Sequence, residues 1–240
     1  MSTATKSRSM PIIAIDMPVM FEDEGYEEMG ESLPHSTSEA IIRFGLMAHL
    51  RRQPELEVLS DMNLHYHPLK RKAYVSPDVM VVQPKHPHRP DRTSYRVGKD
   101  GAMPTLIVEI LSKRTHQQGD LTLKPEIYAE NGVAEYILVD VTGQFLPKLL
   151  ELRKLQTNGK WSVKRDSDGG VTSNLGFRIR RMADGQVRLF DVNTGNSYPR
   201  PEEAADEAEA RQDAEQRANI AEAEVARLRE LLKKATGQDS

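Results

Sequence analysis

Two acidic residues lie in or directly before the most apolar segments of the chain. Asp78 precedes the run 79–82, and Glu109 lies within the run 105–111. Because an unpaired buried charge is costly, each carboxylate must lie at a strand end, pair with a base or bind a metal. For either acid alone, a salt bridge or a strand end that faces a loop is the simpler interpretation. The two acids together raise a shared metal site as the alternative.

The polar residues that follow Glu109 suit metal-assisted phosphate chemistry. Asp120, Lys124 and Tyr128 come at four-residue spacing, and a predicted strand ends at Asp140. Mg²⁺ takes oxygen ligands, few of them from the protein, and leaves its other positions to water and substrate phosphate. Two carboxylates from adjacent strands, with a backbone carbonyl beside one of them, meet that requirement. A nearby lysine can then orient or deprotonate an attacking water and neutralise charge that develops on phosphorus.

The elements that would position these residues are strands joined by a helix. Apolar and alternating runs predict strands over 56–59, 61–67, 74–82, 105–111 and 133–141. A helix is predicted over 122–131, with Thr122 as its cap and Pro125 in its first turn, where a missing N–H costs little. Because strand, helix and strand in succession imply a crossover, we expect the two flanking strands to be parallel neighbours.

Other elements are predicted on both sides of this unit. An amphipathic helix should begin at the Ser and Thr residues of 36–38 and run to Leu50, and Gln83 to Gly101 should form a loop. Residues 148–198 predict antiparallel strands, with turns at Asn158-Gly159, Asp168–Gly170 and Asp184-Gly185.

The last forty residues are typical of one long helix. No Gly or Pro occurs between Glu202 and Lys234, and apolar residues recur at steps of four and three. Such a seam is expected either to join two copies in a coiled coil, giving a homodimer, or to dock on its own body. The seam consists of Ala214, Ala218, Ala221, Val225, Leu228 and Leu232. We therefore expect a disordered leader over 1–10, a folded domain over 11–200 and a C-terminal helix over 201–240.

Composition narrows the class of protein. Of the 240 residues, 38% are hydrophobic and 29% are charged, and no run reaches the roughly 18 apolar residues of a membrane span. The first ten residues have no apolar core and do not resemble a secretory signal. The chain has no cysteine, which excludes disulfides, thiolate zinc sites and cysteine nucleophiles and makes a cytoplasmic location the expectation.

Charge is distributed unevenly along the chain. The net charge is −3, and residues 201–240 carry eleven acids and six bases. The remainder carries 27 bases and 25 acids and is therefore almost neutral. An acidic total argues against a protein that coats phosphates, although a local basic patch could still contact nucleic acid.

Histidines and basic residues between 65 and 96 suggest two further sites. His65, His67, His86 and His88 raise a zinc site, but the absence of cysteine and of a matching third ligand argues against one. The basic residues favour a solvated rim that could touch phosphates. They are Lys70, Arg71, Lys72, Lys85, Arg89, Arg92 and Arg96. The chain contains no Gly-rich phosphate loop, no Gly-x-Ser-x-Gly elbow and no His-Glu-x-x-His.

An ordered set of residues from about 20 to 235 resembles the Uma-two family of restriction-endonuclease-like proteins, within the PD-(D/E)xK nuclease superfamily. The resemblance implies a mixed α/β fold, with a restriction-endonuclease-like mixed sheet flanked by helices. The set comprises His35, Pro77-Asp78, Val108–Ser112, Asp120, Lys124, Tyr128, Gly132-Val133, Glu135-Tyr136 and Val139-Asp140.

The resemblance also implies a catalytic site that cleaves DNA with Mg²⁺ or Mn²⁺. Asp78 and Glu109 match the two metal-binding acids, and the backbone carbonyl of Ile110 matches a third ligand. In the simplest superfamily pattern a lysine stands two residues past the second acid, where this chain has Leu111. The family resemblance instead places the catalytic lysine on the following helix, at Lys124. Pro125 disfavours α geometry at Lys124, so a surface lysine at a helix start remains the other interpretation.

Accessory roles follow for residues near this set. Glu31 matches an accessory acid from an N-terminal element, and Asp120 a helix cap or a partner of the site. Lys113 and Arg114 are candidate DNA contacts. The alternative function is a catalytically silent copy of the fold that binds DNA or protein and dimerises through its C-terminal helix.

Overall fold

The computed structural model describes residues 32–67, 70, 72–86, 89–112 and 116–235. The first helix, α1 (Leu33–His49), begins after Ser32, which is extended at φ −70° and ψ 148° and precedes a proline in the first turn. The sequence placed this start three to five residues later, at 36–38. Ser38 lies inside the helix instead, and its hydroxyl donates to the Pro34 carbonyl at 2.8 Å.

Twelve strands follow in the described part of the chain. They are β1 (Glu57–Ser60), β2 (Asn63–His65), β3 (Tyr74–Val75), β4 (Val79–Val82), β5 (Ser94–Arg96), β6 (Leu106–Ile110), β7 (Glu135–Val139), β8 (Leu150–Leu155), β9 (Trp161–Lys164), β10 (Val171–Thr172), β11 (Phe177–Arg181) and β12 (Val187–Asp191).

The central layer is a mixed sheet with the strand order β1-β4-β6-β7-β8-β9. Strands β6 and β7 are parallel, with Leu106 opposite Glu135 and Ile110 opposite Val139. The other neighbouring pairs are antiparallel. The predicted fold class, a mixed α/β sheet with flanking helices and a long C-terminal helix, is therefore confirmed, and so is the parallel pairing inferred from the strand–helix–strand order.

Two three-stranded sheets complete the fold, with the orders β3-β2-β5 and β10-β11-β12. Strand β5 lies within the segment predicted to be a loop, and it pairs in parallel with β2. The turns at Asn158-Gly159 and Asp184-Gly185 join antiparallel neighbours as predicted. The turn at Asp168–Gly170 does not form a hairpin, because β9 and β10 belong to different sheets.

The connection between β6 and β7 is more helical than the sequence indicates. A π-helix (His116–Leu123) runs directly into α2 (Lys124–Glu130), whereas the predicted helix began at Thr122. Pro125 lacks an N–H and its ring crowds the preceding turn, which an ordinary α-helix tolerates poorly. A wider π turn before it accommodates the proline while Lys124 stays helical. The helix ends at Asn131 and Gly132 as predicted, with Gly132 at φ +80°.

The central strands are buried on both faces. On one face α1 contributes Ile41, Ile42 and Leu46 to a cluster with Val79 and Val108. On the other face Tyr128 of α2 joins a cluster with Met80, Ile107, Tyr136 and Leu138. Burial on both faces explains why these strands are continuous apolar runs rather than alternating ones. A polar side chain at their ends is therefore placed by a rigid core.

The last helix is α3 (Pro201–Ala235), and its residues 204–232 are exposed. None of the helices in the described residues combines the length and apolar composition that crossing a membrane requires. The leader predicted over 1–10 lies outside the described residues, and the boundaries of the domains at 11–200 and 201–240 remain predictions.

Candidate active site

The adjoining ends of β4 and β6 bring Asp78 and Glu109 together. Val79 is opposite Val108 in this antiparallel pair, so the next position outward places Asp78 beside Glu109. The backbone N–H of Asp78 donates to Glu109 Oε2 at 3.3 Å. In return, the backbone N–H of Ile110 donates to Asp78 Oδ2 at 2.6 Å. The two predicted acids therefore lie side by side, each bonded to the backbone at or next to the other.

Lys124 reaches the same cluster from the start of α2. Its ammonium lies 2.8 Å from Glu109 Oε1 and 2.8 Å from Asp120 Oδ1, one helical turn earlier. It also donates to the carbonyl of Ser76 at 3.3 Å. The structure thus brings together Asp78, Glu109, Asp120 and Lys124, and the proline that follows Lys124 does not turn the lysine outward.

Two tyrosines support the acids from the buried side. The Tyr128 hydroxyl donates to Glu109 Oε1 at 2.8 Å, and the Tyr136 hydroxyl donates to the Asp120 carbonyl at 2.8 Å. The two rings pack edge to face with centroids 5.1 Å apart. Tyr128 is fully buried, and its hydroxyl is bonded within the site rather than to solvent.

A histidine supports the other acid from the opposite side of the sheet. His35 lies in the first turn of α1, and its Nε2 is 3.4 Å from Asp78 Oδ2. Sequence reasoning included His35 in the family pattern but gave it no role. The only signal was its place in that pattern, since nothing local in the sequence links residue 35 to residue 78.

The electrostatics of the cluster follow from its burial. Burial raises the pKa of Glu109 to about 8, the Lys124 ammonium opposes that shift, and the neighbouring carboxylates of Asp78 and Asp120 add to it. Burial lowers the pKa of Lys124, but Glu109 and Asp120 more than offset this and raise it above its ordinary value. Two carboxylates, those of Glu109 and Asp120, thus contact one lysine ammonium, and the carboxylate of Asp78 lies beside Glu109. The acids outnumber the lysine, so the local charge is compatible with a bound divalent cation.

The donor atoms suit a hard cation. In the described residues, no group of three or more His, Cys, Asp or Glu side chains is placed to hold a metal. A cation bound by Asp78 and Glu109 would therefore need other oxygens, from a backbone carbonyl, water or substrate. Leu111 N–H donates to the Val139 carbonyl at 2.8 Å. The N–H and the carbonyl of Ile110 therefore point to the other edge of β6, toward β4. The N–H donates to Asp78 on that side, and the carbonyl lies on the same side. Carboxylate and carbonyl oxygens are the ligands that Mg²⁺ and Mn²⁺ prefer.

The cluster opens to solvent at one side. The side chains of Asp78 and Lys124 are 17% and 16% exposed, whereas Glu109 and Asp120 are 1% exposed. A phosphate could therefore approach Asp78 and Lys124 while Glu109 stays protected in the core.

Other predicted contacts are placed differently or not described. Glu31, Lys113 and Arg114 lie outside the described residues, so their roles remain predictions. Arg92 was assigned to a solvated basic rim, but its side chain is 4% exposed and lies 3.4 Å from Glu57. Arg89 is paired with Asp91 at 2.7 Å, close to it in the sequence. These arginines are engaged within the protein, which leaves less basic surface near β5 than the sequence indicates.

Comparison with known proteins identifies a family and a similar solved structure. The model of the Uma2 family, described as "Putative restriction endonuclease", matches residues 20–177. A crystal structure titled as a "putative nuclease belonging to DUF820" from Anabaena variabilis ATCC 29413 is similar, with 15% sequence identity and a TM-score of 0.44. The similarity covers 60% of this chain and 73% of that one. No curated protein matches. The family match spans Asp78, Glu109, Asp120 and Lys124.

Proposed function

The chain belongs to the Uma2 family, and from this premise we propose that it is a metal-dependent endonuclease that hydrolyses phosphodiester bonds of DNA. The observation that carries the proposal is the contact of Lys124 with Glu109 at 2.8 Å, next to Asp78 and at a solvent-facing edge. Strand-end acids with only a structural role would need a partner, but not a lysine that is also shared with a third carboxylate.

The cation in this proposal is Mg²⁺ or Mn²⁺, held by Asp78, Glu109 and the carbonyl of Ile110. Such an ion, when bound, polarises a phosphoryl oxygen and makes a coordinated water a better nucleophile. The excess of carboxylates around Lys124 supports a cation at this position. Magnesium keeps several positions for water and substrate, which fits a site with few protein ligands.

The chain's own residues orient the reaction. Lys124 has a raised pKa and stays protonated at neutral pH, so it acts as a hydrogen-bond donor rather than as a base. Its ammonium can orient the attacking water and stabilise negative charge on the phosphate oxygens. Tyr128 holds Glu109 Oε1, and His35 lies against Asp78 Oδ2, so the two carboxylates are fixed before substrate arrives.

The test is cleavage of supercoiled plasmid DNA with Mg²⁺, Mn²⁺ or EDTA. The proposal predicts nicked or linear product with either metal, none with EDTA, and none from Glu109→Gln. The exposed acid Glu126, in the first turn of α2, supplies the control variant Glu126→Gln, which should cleave like the wild type. Folded wild-type protein that leaves every DNA intact with both metals would favour the alternative function, a silent copy that binds DNA or protein.

A further inference from the structure

The C-terminal helix leaves the body at a fixed point and then stays in solvent. The Arg200 N–H donates to Glu203 Oε2 at 3.1 Å, and the Arg188 guanidinium pairs with Glu203. Beyond this anchor, residues 204–232 are all exposed. Val225 is 46% exposed and Leu228 is 54% exposed. Apolar residues in a stripe along a long helix stabilise it only when a partner covers them.

The stripe follows a heptad pattern that fixes the neighbouring positions. Ala214, Ala221 and Leu228 take position d, and Ala218, Val225 and Leu232 take position a. In one heptad Val225 at a is followed by Leu228 at d, and a β-branched residue at a with leucine at d favours a parallel pair of helices. Most of the flanking positions carry charges: Arg217 and Glu224 lie at g, followed by Leu231, and Glu215, Glu222 and Arg229 lie at e.

These charges favour one orientation of two copies. In a parallel, in-register pair, each g residue faces the e residue of the next heptad in the other helix. Arg217 then faces Glu222 of the second copy, and Glu224 faces Arg229 of the second copy. Both contacts join opposite charges, and two-fold symmetry repeats each of them. Within one helix Glu224 lies 3.7 Å from Arg227, and both side chains are mostly exposed.

The antiparallel arrangement is opposed by the same residues. In an antiparallel pair centred on this seam, e positions face e positions and g positions face g positions. Glu222 would then face Glu222 of the second copy, and Glu224 would face Glu224 of the second copy. Like charges placed opposite each other are destabilising. Glu215, also at position e, would face Arg229 of the second copy, so the antiparallel pair mixes like and opposite charges, whereas both charged contacts of the parallel pair join opposite charges.

We propose that α3 joins two copies of this chain in a parallel, in-register coiled coil centred on residues 214–232. Because the helices run in the same direction, both bodies lie at the same end of the rod. The inference rests on the seam and its charges, so it holds whether or not the chain cleaves DNA. The alternative is a monomer whose helix stays exposed to solvent. Two pairs at i and i+4 spacing, Glu207 with Arg211 and Asp213 with Arg217, could stabilise such a single helix.

Charge-swapped full-length variants test the pairing. Arg217→Glu with Arg229→Glu makes all four residues of the two charged contacts acidic, and Glu222→Arg with Glu224→Arg makes all four basic. Arg and Glu are both good helix formers, and circular dichroism checks that each variant stays helical. By sedimentation equilibrium the wild type should have twice the 27.1 kDa chain mass. Each variant alone should have the single-chain mass, and their mixture should return to the doubled mass.

Two results would overturn this proposal. The first is a wild type that is monomeric at tens of micromolar, which would show that the apolar stripe of α3 stays exposed to solvent. The second is a dimer whose mass neither variant changes, which places the interface elsewhere.

A single cysteine tests the direction of the helices, because the chain has none of its own. In a parallel, in-register pair, two copies of Leu228→Cys lie opposite each other and form a disulfide-linked dimer on mild oxidation. The control is Ala223→Cys on the outer face of the same helix, which should remain uncrosslinked. Crosslinking of a mixture of Ala218→Cys and Leu228→Cys, without crosslinking of Leu228→Cys alone, would show an antiparallel pair and contradict the proposal.

Discussion

Glu109 links the core of the protein to its proposed chemistry. It lies in the most apolar strand, is 1% exposed, and accepts bonds from Lys124, Tyr128 and the backbone of Asp78. A carboxylate in such a place is stable only because each of its oxygens has a partner. Burial raises the pKa of Glu109 to about 8. A cation bound next to Glu109 would oppose this shift and favour the ionised carboxylate at neutral pH.

The first prediction concerns the two acids as ligands. Asp78→Asn and Glu109→Gln preserve side-chain size, but each removes a negative charge from a proposed metal ligand. Each variant should therefore abolish cleavage and weaken Mn²⁺ binding by at least roughly tenfold. Calorimetric titration with Mn²⁺ measures the binding. Mn²⁺ binding that both variants retain at wild-type affinity would place the metal outside this cluster.

The second prediction separates Lys124 from the ligands. Because Lys124 is not a ligand, Lys124→Ala should lower turnover by at least about 100-fold while Mn²⁺ affinity stays close to that of the wild type. The exposed Lys160 provides the control Lys160→Ala. Cleavage at the wild-type rate by Lys124→Ala would return this lysine to a structural role.

The third prediction concerns a buried acid that closes the loop after β7. Asp140 accepts bonds from the N–H groups of Phe145 at 2.6 Å and Leu146 at 2.9 Å, and further bonds from Thr142 and Gly143. Burial raises the pKa of Asp140, but these bonds outweigh it and leave the pKa below its ordinary value. The charged form therefore stabilises the folded state above the unfolded pKa near 4, and this contribution is lost as the pH falls through the folded pKa.

Asp140→Asn should consequently lower the free energy of unfolding by about 2 kcal/mol at pH 7. The difference from the wild type should shrink as the pH falls below 4. Urea unfolding at pH 7 and at pH 3 measures both values, with the exposed Asp213→Asn as the control. A difference that stays constant between the two pH values would contradict the role of the charge.

At the scale of elements, the segment that leads into β6 supports the site together with the helices. The segment between β5 and β6 packs closely at Gly101, where a Cβ atom would lie 2.5 Å from the Gln83 carbonyl and would also meet the Tyr95 hydroxyl. The buried Tyr95 hydroxyl donates to the Ala102 carbonyl at 2.9 Å, so it has no room to retreat. This contact holds the segment that leads into β6 and Glu109.

Gly101→Ala should therefore destabilise the fold by about 1–3 kcal/mol, as overpacking in a core does. Gly119→Ala is the matched control, because none of the described residues has an atom within 4 Å of a Cβ position there. Thermal unfolding followed by circular dichroism compares the two variants. Equal melting temperatures for the two variants would show that the close packing at Gly101 relaxes at no cost.

The sequence could predict those elements and residues whose signals are local. Apolar runs identified β4, β6 and β7, and the acids at their ends identified Asp78 and Glu109. The π-helix before Lys124 was missed because it depends on how Pro125 is accommodated in three dimensions. Strand β5 was missed because it lies in a polar, proline-rich segment that has no local strand signal. It forms a strand by pairing with β2, about thirty residues earlier in the chain. The contact of His35 with Asp78 was missed because it depends on how α1 packs against the sheet.

At the scale of the whole molecule, the acidic helix and the almost neutral body are expected to have separate roles. The body contains the proposed site and two buried clusters that cover both faces of the sheet, so it does not depend on α3 for its core. The C-terminal segment 201–240 carries all of the excess negative charge, and α3 is exposed over residues 204–232. We therefore expect the helix to control association and the body to control stability.

Leu228→Glu with Leu232→Glu places charge in the apolar seam and tests this division. The variant should sediment as a folded monomer, with the melting temperature of the body changed by no more than about 2 °C at equal protein concentration, because surface changes outside the core contribute little. The charge-conserving control is Glu230→Asp, on the outer face of the helix. A variant that loses its body fold would show that α3 supports the core.

The location of Mn²⁺ tests the central claim most directly. Crystals soaked in Mn²⁺ and measured at its absorption edge give the ion's position from anomalous scattering. We predict one site, with metal–oxygen distances of roughly 2.0–2.4 Å to Asp78, Glu109 and the Ile110 carbonyl, and no peak there in Glu109→Gln. A wild-type crystal with its Mn²⁺ bound elsewhere, or with none between these two acids at concentrations that support cleavage, would contradict the account.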